Sequence, residues 1–186
     1  MYASLLIVFR MGKSLEMIQA AKRALRIPDG FLKIVVPLAK IGSSLYLFCD
    51  HLIWLAKMRL WARDEQYWSR QAFRFWLISL IMALMRDAYE LVLVYRVESQ
   101  RLKTNSKTLA SSSSSAPTVP STLSSILYNH KALILDVTKN SADIFIPLDR
   151  LGLVSLPSGV VGLMGTMSSL IGLYTDWNEQ AKLKYS

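Results

Sequence analysis

Between Gly42 and Pro117 the chain contains neither glycine nor proline. With the two strongest breakers of regular structure absent and strand-like alternation almost missing, the middle of the molecule is committed to long helices. The apolar periodicity predicts helices over about 11–27, 31–60, 65–100 and 123–142, and a further apolar segment over about 157–175. Within the long middle stretch the charged run Arg63-Asp64-Glu65 is the natural break, with Asp64 suited to cap the next helix. The expected fold class is all-α: a membrane-associated helical protein with amphipathic helices and a C-terminal transmembrane segment. Three regions follow along the chain: a basic amphipathic helical region over 1–103, a Ser-rich flexible linker over 104–122, and a C-terminal region over 123–186.

The membrane expectation rests first on Leu151 to Thr175, which carries no charged side chain. Beyond Pro157, a residue suited to a first helical turn, the uncharged part rises about 27 Å at about 1.5 Å per residue, against a hydrocarbon core of about 30 Å. Its small residues, Gly159, Gly162, Gly165, Ser168, Ser169 and Gly172, include pairs four apart where a neighbouring helix can approach closely. The competing reading is a glycine-rich helix buried in a soluble core. Lys139 and Arg150 precede the segment and Lys182 and Lys184 follow it, so the charge rule gives no orientation.

Charge is unevenly placed. Residues 1–107 hold 17 Lys or Arg against 8 Asp or Glu, whereas 108–186 hold 5 of each. The first part should be drawn to an anionic surface, and an anionic phospholipid membrane fits better than nucleic acid, because no zinc-finger, RNP or helix-turn-helix pattern accompanies the charge. Cys49 is the only cysteine, which excludes an internal disulfide. The apolar start has no basic residue before it and no small-residue cleavage site, unlike a secretory signal, and the terminal Lys184-Tyr-Ser is not a peroxisomal Ser-Lys-Leu address.

On a 3.6-residue helix Met11, Leu15, Ile18, Ala21 and Leu25 share one side, opposite Glu16, Gln19, Arg23 and Arg26. Such a helix can sink its stripe among acyl chains while Lys13, Lys22, Arg23 and Arg26 reach headgroup phosphates, a wedge in one leaflet that favours curvature. An ordinary surface helix packed on its neighbours would read the same way. Trp54, Trp61, Trp68 and Phe75 recur seven apart among basic residues, as either an interfacial belt or a packing seam. The uncharged stretch Phe75 to Met85 is too short to span a bilayer. Just beyond it, Arg86, Asp87 and Glu90 would have to pair if buried, fixing helix register; a proton relay is the less favoured alternative.

Catalysis finds little support. Cys49, Asp50 and His51 are consecutive and, on a helix, diverge by about 100° each. His130 has no ligand at metal spacing, and no phosphate loop, nucleophile elbow or dinucleotide fingerprint is present. Neither an enzyme nor a cofactor is expected. The Ser and Thr residues of the linker are open to kinases, although a plain spacer is the favoured reading.

Several motifs occur in one order: Arg10-Met-Gly12-Lys13, Tyr46-Leu-Phe-Cys49-Asp50 followed by Trp54, Trp68-Ser-Arg with Phe73-Arg-Phe-Trp76, Arg86-Asp87-Ala-Tyr89-Glu90, Asp143-Ile-Phe-Ile-Pro147-Leu-Asp149, and Gly159-Val-Val-Gly162-Leu. Together they resemble the peroxin-11 family over nearly the whole chain apart from the linker. The resemblance implies an integral protein of the peroxisomal membrane that elongates the organelle before fission. It further implies that the helix after Gly12-Lys13 does the remodelling, and that the protein self-associates and works with a dynamin-like GTPase and its tail-anchored receptors. Met1 falls nine residues ahead of the Arg10-Met-Gly12 motif, where the family ordinarily has a further helical stretch, so the resemblance implies an N-terminally shortened member. A membrane pore for metabolites and a scaffold that only recruits fission factors are the alternatives.

Overall fold

Most of the described part of the stretch free of glycine and proline lies in two long helices packed side by side. The computed structural model describes residues 15–58, 65–110, 126 and 129–178, and among these there is no strand. Helix α1 covers 15–24, α2 runs Leu32–Lys57 and α3 Glu65–Ala110. The second half contains α4 (Lys131–Asp143), α5 (Phe145–Arg150) and α6 (Ser158–Trp177). Helix α3 continues to Ala110 instead of ending near residue 100, so it enters the segment read as linker. Residues 111–122 of that linker, Met11, Lys13, Trp61 and Asp64 lie outside the described residues.

The first turn of α2 is set by Asp29. Its carboxylate accepts from the Phe31 N–H at 3.0 Å and the Leu32 N–H at 3.5 Å, while its carbonyl accepts the first helical bond from Lys33 at 2.9 Å. Asp29 is therefore the N-cap in physical terms. Its other carboxylate oxygen accepts from the Tyr89 hydroxyl at 3.0 Å, which ties the cap to α3.

Helices α2 and α3 form an antiparallel hairpin, the largest helix–helix contact in the fold. Its rungs are Phe31 on Tyr89, with ring centroids 4.7 Å apart, Gly42 on Ser79, Tyr46 stacked on Trp76 at 5.3 Å, and the Lys57–Glu65 pair at 3.1 Å. The backbones come closest at Gly42, where a Cβ would stand 3.1 Å from Ser79 Cβ and 3.3 Å from the Phe75 carbonyl oxygen. Ser79 Oγ uses that proximity to donate across the interface to the Ala39 carbonyl at 2.8 Å. Small side chains and a bridging hydroxyl are the means by which helices hold together where water supplies no hydrophobic drive.

Helices α4 and α5 pack on α3, and α6 returns antiparallel along α4 and α5. The break between α4 and α5 falls at Ile144 because Pro147 lacks the N–H that the Asp143 carbonyl would receive. Helix α5 stops in a Schellman motif: Gly152, at φ +70°, donates to the Asp149 carbonyl at 2.9 Å and Leu153 to the Leu148 carbonyl at 3.0 Å. Pro157 then precedes the first turn of α6.

The structure adds a candidate to the expected membrane segment. Among the described residues the helix that is long and apolar enough to cross a membrane, by length and composition, is α2. Helix α6, the segment expected to span, is an unbroken helix of 20 residues in which Asp176 is the one charged residue. Helix α2 carries Lys40 and Asp50 among its large aliphatic residues.

Candidate membrane-facing site

Large apolar side chains point outward on every long helix. Phe31, just before α2, and Ile34, Leu38, Ile41, Leu45 and Phe48 on it are exposed and spaced three and four apart, so they form one continuous stripe. On α3 the same spacing recurs in Ile78, Ile81, Met85, Val92 and Tyr95, and on α6 in Val160, Leu163, Met167, Leu170, Tyr174 and Trp177. Exposed apolar surface on this scale marks a membrane or interaction site rather than a water-facing one.

Helix α1 resolves its two competing sides in an unexpected way. The small residues Ala21 and Ala24 are the buried ones, at 5% and 6% exposure, while Leu15, Ile18 and Leu25 remain 62%, 42% and 52% exposed. Ala21, grouped by sequence with the inserting stripe, faces the body of the protein. Lys22, Arg23 and Arg26 are exposed, and Lys22 lies between Ile18 and Leu25 on the outer side. The outward face is thus aliphatic with basic groups on and beside it.

The small residues of α6 divide between two faces. Gly165 and Gly172 meet Ile146 and the Lys139 stem, a Cβ there standing 3.5 Å from each, and Ser168 is buried at 3% exposure. Gly159 and Gly162 have nothing within 4 Å of such a Cβ, and Ser169 is exposed. The first set therefore serves packing within the chain and the second faces outward.

Inside the bundle the ionic groups meet one another. Arg86, 6% exposed, pairs with Asp87 on its own helix and with Asp136 on α4, and Asp87 accepts from the Asn140 amide at 2.8 Å. Burial pushes the Asp87 and Glu90 carboxyls up, against the pull of Arg86. Sequence reasoning placed Arg86, Asp87 and Glu90 as a register device but missed Asp136 and Asn140. They lie some fifty residues further on, at positions with no local signal. The cluster borders a cavity of about 440 Å3 between α2, α3, α4 and α6, lined also by Lys40, Lys139 and Asp143. Glu98, buried on α3, lies 3.7 Å from the His130 ring at the start of α4. Trp54, Trp68 and Phe75 are half-buried along the hairpin. No group of three or more His, Cys, Asp or Glu suited to a metal occurs among the described residues.

Charges paired inside and large aliphatic residues outside define a membrane-associated helical protein. Residues 7–177 match the family Peroxisomal biogenesis factor 11 (PEX11). The human protein named Peroxisomal membrane protein 11B is 34% identical over 192 residues, which cover 90% of this chain and 74% of that one. Mouse Peroxisomal membrane protein 11A is 34% identical over 186 residues, 95% of this chain and 76% of that one. No solved structure matches. This chain belongs to the peroxisomal biogenesis factor 11 family.

Proposed function

We propose that this protein acts at the peroxisomal membrane, as an integral protein that elongates the organelle by inserting α1 into one leaflet. The observation that carries the reading is the orientation of α1: alanines dock it on the bundle, leaving Leu15, Ile18 and Leu25 free for acyl chains beside Lys22 and Arg26. Seating those side chains in one leaflet expands it relative to the other, which favours a curved bilayer. Helix α2 is the best candidate for the crossing segment. Self-association and cooperation with a dynamin-like GTPase and its receptors belong to the same proposal, as does action by binding rather than catalysis. The test is tubulation of anionic vesicles by the purified full chain: tubules are expected from the parent and not from Leu15→Glu with Ile18→Glu. Tubulation by that variant equal to the parent would refute the role of α1.

A second reading, passage of polar solutes, is favoured by the charged cavity beside Arg86 and Asp136. Release of a trapped dye without tubulation would select it.

A further inference from the structure

The charged cavity inside the bundle takes its walls from α2, α3, α4 and α6, and α1 adds Met17 to them. Helix α1 therefore has an inner side with its own contacts. Met17, Ala21 and Ala24 are spaced four and three apart and share one helical face, on which Ala21 and Ala24 are buried and Met17 half-buried. That face meets α2 at Val36 and Lys40, which line the charged cavity and also an adjoining one with Ala20 and Ala24. Val36 is 1% exposed beneath it. Glu16, next to Met17, attracts Lys40 together with Asp136, against the repulsion of Arg86 and Lys139. Taking α1 away would thus remove a cover and one of the acids that hold Lys40.

The attachment of α1 is slight. Its buried side chains among the described residues are two alanines, whose methyl groups bury little area. Past Ala24 the chain leaves the helix: the Ile27 N–H donates back to the Ala24 carbonyl at 3.2 Å, and Pro28 has no N–H to carry the ladder on. Helix α2 then starts independently, because Asp29 caps it and accepts from Tyr89 of α3. The hairpin is anchored on both sides of its first turn without α1, so residues 25–28 can bend and leave it intact.

We infer that α1 is a hinged lid over the charged cavity: seated, it shields Lys40, Asp136 and Lys139 from water, and swung away about 25–28 it opens them to polar solutes. Access to the cavity then follows the seat of α1. The lid operates whether or not the protein tubulates membranes, and whether or not a solute crosses them.

The test is thiol accessibility in the full chain in nanodiscs, with Cys49→Ser removing the native thiol. Ala132→Cys on α4 lines the cavity and reports water in it, while Ala142→Cys, buried on the same helix outside the lining, reports the bundle. Both are labelled with a charged methanethiosulfonate. Ala24→Glu sets a carboxylate on the buried side of α1 and should speed labelling of Ala132→Cys at least about tenfold, since a buried unpaired charge drives the lid off its seat. Glu16→Lys, an exposed change that places a like charge near Lys40, should speed it about threefold. Gln19→Glu, on the exposed side of α1, should stay within about twofold of the parent. Faster labelling at Ala132→Cys alone, in Ala24→Glu or Glu16→Lys, supports the lid. No such selective rise in either variant overturns it, whether neither reporter changes or both change together. An equal rise with Gln19→Glu would trace the effect to charge anywhere on α1 and overturn it as well.

Discussion

Replacing Leu15 and Ile18 by glutamate tests whether α1 engages lipid through its aliphatic face. Fully burying a Leu or Ile side chain is worth about 1.5–3 kcal/mol. Leu15 and Ile18 are 62% and 42% exposed, so roughly half of that gain is still available to a bilayer. The pair then contributes about 1.5–3 kcal/mol to insertion. Two added negative charges oppose an anionic surface by about 1 kcal/mol each, the amount a basic residue gains there. The sum, about 3–5 kcal/mol, corresponds to a fall in membrane partitioning of at least about 100-fold. Flotation with anionic vesicles at two salt concentrations measures it. Gln19→Glu, which adds one charge on the polar side, isolates the electrostatic part and should cost no more than about tenfold. Because Lys22, Arg23 and Arg26 are untouched, residual binding of the double variant should remain salt-sensitive. Partitioning of the double variant within about twofold of the parent, with helicity unchanged, would refute the argument.

Further outcomes follow from the packing. Gly42→Leu should destabilise the α2–α3 hairpin by about 1–3 kcal/mol in a thermal melt, because its Cβ meets Ser79 and the Phe75 carbonyl, whereas Gly159→Ala, in open space, should gain about 0.5–1 kcal/mol. Asp87→Ala should cost about 3–5 kcal/mol by leaving Arg86 buried with one partner fewer, measured by denaturant unfolding in detergent. Asp29 has its pKa lowered by the Phe31 N–H and then by Tyr89, so it binds fewer protons folded than unfolded in the acid range. Its stabilisation is complete above its unfolded value near 3.8 and is lost as pH falls through the folded pKa; Asp29→Ala should therefore lower the melting point at pH 7, with the difference from the parent shrinking at pH 3.

Much of the scaffold was legible because helices answer to local chemistry. The gap in glycine and proline from 43 to 116 announced α2 and α3. The family, too, was readable from motif order. Less legible was that α2 also has the length and apolarity to cross a membrane, since Lys33, Lys40, Asp50 and Lys57 fall within it.

What the sequence by itself determined is the all-helical class, the basic first half and the paired fate of Arg86 and Asp87, since each follows from composition, periodicity or the cost of burying charge. Tertiary structure alone decided which side of α1 faces outward. By periodicity Ala21 belongs with Leu15, Ile18 and Leu25, but a helix docks closely only through small side chains, so Ala21 and Ala24 took the inner position. It likewise brought Asp136 and Asn140 to the Arg86–Asp87 pair. Such meetings depend on how separate helices pack, and no spacing within one helix encodes them.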